Sequence, residues 1–126
     1  MSKSVVLVTA ERLRLGELAI RYSEVGRPNL TLDERLVVET TDGFFAIEPS
    51  EELRAHYESE ELAKITLTIK QPNFSLLEYR TNADLRRALG PLSVISGVLV
   101  DDDHGRIRPL AELQAEFSEQ RNELDR

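Results

Sequence analysis

The chain has 126 residues, 40% apolar and 31% charged, the balance of a single globular domain large enough to bury a core unaided. It carries a formal net charge of −7 and no cysteine, which excludes disulfides, thiolate metal sites and cysteine nucleophiles and disfavours nonspecific attraction to phosphate backbones or anionic membranes. No apolar run approaches membrane-spanning length, and Ser4 to Val8 is too short for the core of a secretory signal, so the expected setting is cytoplasmic.

Val5-Val6-Leu7-Val8 is short and β-branched, the pattern of a buried strand. Between Thr9 and Glu24 two periods compete. Leu15, Leu18, Ala19 and Tyr22 form a helical stripe, while Leu18, Ile20 and Tyr22 also alternate as a strand would, and Gly16 weakens a helix interior. Helix is the preferred reading. Gly26-Arg27-Pro28-Asn29 reads as a loop. Leu36–Glu39 and Phe44–Ile47 flank Thr40-Thr41-Asp42-Gly43, where Asp-Gly favours a tight turn, so Arg35 to Glu48 reads as a hairpin. Phe44 and Phe45 are consecutive and point to opposite faces of such a strand. One is core, and the other is either covered by a helix or exposed as an anchor for a partner.

Pro49-Ser50-Glu51-Glu52 opens a helix, with the glutamates at the positive end of its dipole. Leu53, Tyr57 and Leu62 would face inward, leaving Glu51, Glu52, Glu58, Glu60 and Glu61 in solvent. Lys64 to Lys70 alternates apolar and polar residues without a break and reads as a strand, resumed after Gln71-Pro72-Asn73 by Phe74 to Tyr79. Thr81 or Asn82 caps a helix that buries Leu85 and Leu89 and stops at Gly90-Pro91. Ser96 to Val100 and Arg106 to Arg108 flank a turn at Asp103-His104-Gly105 and form a second hairpin. Pro109 suits the first position of a last helix with Leu110, Leu113, Phe117 and Leu124 along one stripe, and residues 119–126 are polar and expected to fray. The fold expected is α+β over residues 1–126. A mainly antiparallel sheet of local hairpins carries three to four helices packed on one face.

Chemistry is sparsely marked. Asp101-Asp102-Asp103-His104-Gly105 groups carboxylates with an imidazole, but it fails the pattern of a calcium loop, because Arg106 stands where glycine is needed. A solvated turn is the simpler reading. His56 sits among glutamates, which favours its charged form without making it a catalyst. The chain has no G-x-S-x-G elbow, H-E-x-x-H pair, phosphate loop or dinucleotide fingerprint, and no cofactor or metal is expected. Arg80, Arg86 and Arg87, extended by Arg106 and Arg108, could form a basic patch, but Tyr79 is its only aromatic neighbour and nucleic acid is not an expected partner.

Charge is unevenly spread. Residues 36–78 carry nine Asp/Glu against three Lys/Arg, a net of −6, whereas residues 1–35 carry five against six. The expectation that follows is a non-enzymatic protein-binding module. Glu51, Glu52, Glu58, Glu60, Glu61, Asp101, Asp102 and Asp103 would meet a basic protein partner, in the manner of an immunity- or inhibitor-type protein. Two alternatives stand beside it: a self-associating structural subunit using a strand edge or the last helix, and a small enzyme or ligand-binding domain assembled from His56, His104, Tyr22 and Tyr79.

Overall fold

A computed structural model describes residues 2–102 and 106–124, and their side chains as far as Ser118. Strand β1 (Lys3–Thr9) is the centre from which the sheet is built. It pairs antiparallel with β5 (Asn73–Tyr79) on one side and β6 (Leu99–Asp101) on the other. Beyond β5 lie β4 (Phe44–Pro49), β3 (Leu36–Glu39) and β2 (Arg27–Leu30), and beyond β6 lies β7 (Ile107–Pro109). The order across the sheet is β2-β3-β4-β5-β1-β6-β7, with every neighbouring pair antiparallel. This is the α+β class that local hairpins imply.

Register sorts the side chains by face. Val5 lies opposite Leu77, Leu77 opposite Ile47, and Ile47 opposite Leu36, so alternate residues of four strands meet in one apolar layer. Three helices cover that layer: α1 (Leu15–Tyr22), α3 (Asn82–Leu92) and α4 (Leu110–Leu124). In α1 the helical period prevails over alternation. Leu15, Leu18 and Tyr22 are buried, while Ile20, which a strand would bury with them, is 74% exposed. The Tyr22 hydroxyl donates to the Ala88 carbonyl at 2.5 Å, and its ring meets Phe45 edge-on at 4.9 Å. Helix α1 thereby binds both α3 and the sheet. Gly26 then brings the chain against β3, where a Cβ would lie 2.3 Å from the Glu39 carbonyl oxygen. Only glycine fits that approach.

The opposite face corrects the expectation of helices on one side only. Val8, Phe74 and Leu99 point there and are covered by a 3-10 helix (Glu51–His56) and by α2 (Ser59–Thr68). Of residues Lys64 to Lys70, expected as a strand, Lys64 to Thr68 therefore form the second half of α2. Ile65 and Ile69 satisfy both periods, being alternate residues and also one turn apart. Leu62 three residues before Ile65, and the Glu61 carboxylate accepting the Glu58 N–H at 3.2 Å, start a helix at this point. Leu67, which a strand would have buried with the isoleucines, is 87% exposed.

Three smaller differences have equally local causes. Of Gly26-Arg27-Pro28-Asn29, expected as a loop, Arg27 to Asn29 fall in the edge strand β2, held by its ladder to β3 and not by propensity. Helix α3 continues through Gly90-Pro91 to Leu92, because proline in the last turn removes only one terminal hydrogen bond and Leu92 is fully buried. Pro109 closes β7, and α4 starts at Leu110. The expected turn at Asp103-His104-Gly105 lies outside the described residues; of residues 119–126, expected to fray, 119–124 continue α4 and 125–126 lie outside the described residues.

Both outer edges carry a proline. The Thr31 N–H bonds the Arg35 carbonyl at 2.8 Å, and the Leu110 N–H bonds the Val98 carbonyl at 2.9 Å. Alternation of the ladder from those bonds turns Pro28 and Pro109 outward, where a further strand would need donors. Neither has an N–H to offer, which blunts both edges against pairing.

Candidate protein-binding face

The chain crosses to the second face at Pro49, where the Ser50 N–H bonds the Phe74 carbonyl at 2.9 Å and fixes the start of the 3-10 helix on β5. Leu53 and Tyr57 are half-buried against Phe74 and Val8 and anchor this short helix, while Glu51 and Glu52 fall in its first turn and point to solvent. The Tyr57 ring lies 5.3 Å from that of Phe74. Its hydroxyl donates to Asp101 Oδ2 at 2.7 Å, across 44 residues of sequence. Burial, and then the Asp101 carboxylate beside it, push the Tyr57 phenol well above the ordinary tyrosine range. It acts as a neutral donor at any physiological pH.

This bond joins the two acidic stretches that the sequence singles out. Glu51, Glu52, Glu58 and Glu60 are exposed, and none of them pairs with a cation among the described residues. Glu61 is half-buried and caps α2. Asp101 and Asp102 are half-buried and engaged within the fold: Asp101 accepts from Tyr57, and Asp102 pairs with Arg108 at 3.6 Å and accepts the Arg106 N–H at 3.3 Å. Asp103 lies outside the described residues. The eight expected acids thus divide. Four glutamates are exposed without a cation, Glu58 among them also sharing the capping box of α2 with Glu61, and three further acids brace the surface that presents them.

Of the five arginines expected as a basic patch, three are engaged within the fold. Arg87 pairs with the fully buried Asp84 at 3.1 Å, Arg86 lies 5.0 Å over the Phe117 ring, and Arg108 pairs with Asp102 and Glu116. Arg80 and Arg106 stay exposed with no acidic partner among the described residues. Asp84 also accepts from the Thr40 hydroxyl at 2.7 Å, tying the β3–β4 turn to the start of α3. The turn must bring Gly43 close, since a Cβ there would lie 2.6 Å from Asp84 Oδ2. Sequence reasoning did not identify this lock. Its only signal was Asp84 three residues after the capping Thr81.

The groups named for an enzyme site that fall within the described residues do not converge. Tyr22 is buried with its hydroxyl satisfied by Ala88, and its phenol is pushed far up by desolvation. Tyr79 is buried beside the same three-helix layer, His56 is exposed at the end of the 3-10 helix on the other face, and His104 is outside the described residues. Among the described residues no three carboxylate or imidazole side chains come together to hold a metal ion. No helix there is long and apolar enough to cross a membrane. Neither a protein-family model, nor a curated protein, nor a solved structure matches the chain.

Proposed function

We propose that the chain is a non-enzymatic binding module, working in the cytoplasm, whose 3-10 helix and α2 face captures a basic protein partner and neutralises it as an inhibitor would. One observation carries this reading: Glu51, Glu52, Glu58 and Glu60 are all exposed at the starts of the two helices that cover the second face, and none pairs with a cation among the described residues. Helix dipoles explain why acids start these helices, since Glu51, Glu52 and Glu60 fall in first turns. They do not explain why Arg54 and Lys64, exposed on the same two helices, pair with none of them, whereas elsewhere Arg12 pairs with Glu34 and Arg35 with Glu78. Unbalanced carboxylates held on a rigid layer speed encounter with a basic partner and set its register. Self-association through a strand edge is the weaker reading, because Pro28 and Pro109 blunt both edges.

Affinity capture from the native host at low ionic strength tests the proposal, with the wild-type chain compared with a variant carrying Glu51, Glu52, Glu58 and Glu60 all changed to Gln. The expected result is a basic protein retained by the wild type, released by salt and lost from the variant. A partner held equally by both would overturn the assignment to this face.

A further inference from the structure

We propose a second, independent site: the groove between α2 and β7 binds a small amphipathic anion, a linear carboxylate with an aliphatic tail. The groove has a volume of about 490 Å³, within the range of small-ligand sites, about 300–1,000 Å³. Its floor is aliphatic. Ile65 and Leu99 are buried and Ile107 is half-buried beneath it. Cations stand on both walls: Lys64 on α2 and Arg106 just before β7 are exposed and have no acidic partner among the described residues, whereas Arg108 beside them is paired with Asp102 and Glu116. The Thr68 hydroxyl lies on the same wall as Lys64. Glu61 also borders the groove, but its carboxylate is turned to the Glu58 N–H at 3.2 Å.

Charge complementarity selects the occupant. Residues 36–78 carry nine acids and only three basic residues, and Lys64 is one of those three. Arg106 faces it from a different element, so the groove is a positive spot within a negative region. An apolar floor between two unpaired cations suits a ligand with an apolar body and one negative end. Neutral solutes would gain only the floor, and cations would be repelled. The α2 wall from Glu61 to Thr68 is about 10 Å long at 1.5 Å per residue, the reach of a medium aliphatic chain. The expectation holds whether or not the glutamate surface binds a protein, since none of Glu51, Glu52, Glu58 and Glu60 lines the groove.

The test is an NMR titration of the wild-type chain with sodium decanoate below its micellar range, with decanol and decylammonium as neutral and cationic controls. The expected result is saturable shifts at Lys64, Thr68 and Ile107 with decanoate, weaker ones with decanol and none with decylammonium. Lys64→Glu with Arg106→Glu should weaken decanoate by about tenfold or more. Thr68→Trp, at an exposed position that leaves the core intact, should block the groove outright. Decanoate shifts that map elsewhere, equal binding of all three probes, or affinity unchanged in both variants would overturn the proposal.

Discussion

On one face of the sheet, among the described residues, twenty buried apolar side chains close around three helices; on the other, five do so beneath a 3-10 helix and α2. The same strands build both layers. The difference lies in what each face offers to a covering helix. Beneath α1, α3 and α4, the register aligns Val5, Leu77, Ile47 and Leu36 in a continuous apolar row. Beneath α2 the apolar patch spans only β5, β1, β6 and β7, and the β3–β4–β5 side of that face carries Glu48, Glu78 and Arg35, with Arg35 and Glu78 paired at 3.3 Å. A layer that buries one α2 residue fully has little stability to lose. It therefore has freedom to vary at its surface. The open glutamates and the α2–β7 groove both lie on this thin layer, while the thick layer is given over to packing.

That contrast can be broken by mutation, beginning with the thick layer. Phe45→Ala removes a fully buried ring that packs against Tyr22, and chemical denaturation should show a loss of about 3–5 kcal/mol. Retention of near wild-type stability would mean that the three-helix face does not dominate. Next comes Gly43→Ala, which places a methyl against the buried Asp84 carboxylate held by Thr40 and Arg87. A loss of about 1–3 kcal/mol is expected, and Thr40→Val in the same background should add little, because the lock is already displaced.

Smaller effects belong to the thin layer. Tyr57→Phe deletes the bond to Asp101 but keeps the contact with Phe74, and should cost about 1 kcal/mol. It should also change the alkaline behaviour. Folded Tyr57 and Tyr22 hold their protons past the pH at which an unfolded tyrosine ionises, near about pH 10. Above that pH the unfolded chain binds fewer protons than the folded one, so stability falls as pH rises. Thermal melts above that pH should fall less steeply for Tyr57→Phe than for wild type. Equal slopes would show that Tyr57 does not ionise on unfolding. Smallest of all, Leu67→Ser on the outer side of α2 should stay within about 0.5 kcal/mol of wild type. A large loss would restore the strand reading of Lys64 to Lys70.

Legibility followed the same division. The β3–β4 hairpin was readable because Asp42-Gly43 is a local signal, and α3 because its stripe and its Thr81 cap are local too, while α1 showed a local stripe beside a competing alternation and has no side-chain cap. The thin layer was not, because what decides it is distant. Ile65 and Ile69 fit either period until Val8, Phe74 and Leu99 supply a surface to cover. Strand β2 is set by its ladder to β3 and not by Arg27-Pro28-Asn29-Leu30 itself. Of the candidate site, the individual acids were plain in the sequence, but their division into open glutamates and bracing aspartates was not. That division rests on the Tyr57–Asp101 bond, which spans 44 residues. The groove was invisible for a simpler reason: one of its walls was expected to be a strand.

The most direct measurement compares two variants for affinity toward the captured basic partner at low salt. One carries Glu51, Glu52, Glu58 and Glu60 changed to Gln on the thin layer, and the other carries Arg12, Arg14 and Arg21 changed to Glu around α1 on the thick one. Isothermal titration calorimetry should show about tenfold or greater weakening for the first and none for the second. Equal weakening in both, or loss confined to the arginine variant, would contradict the assignment of recognition to the acidic face.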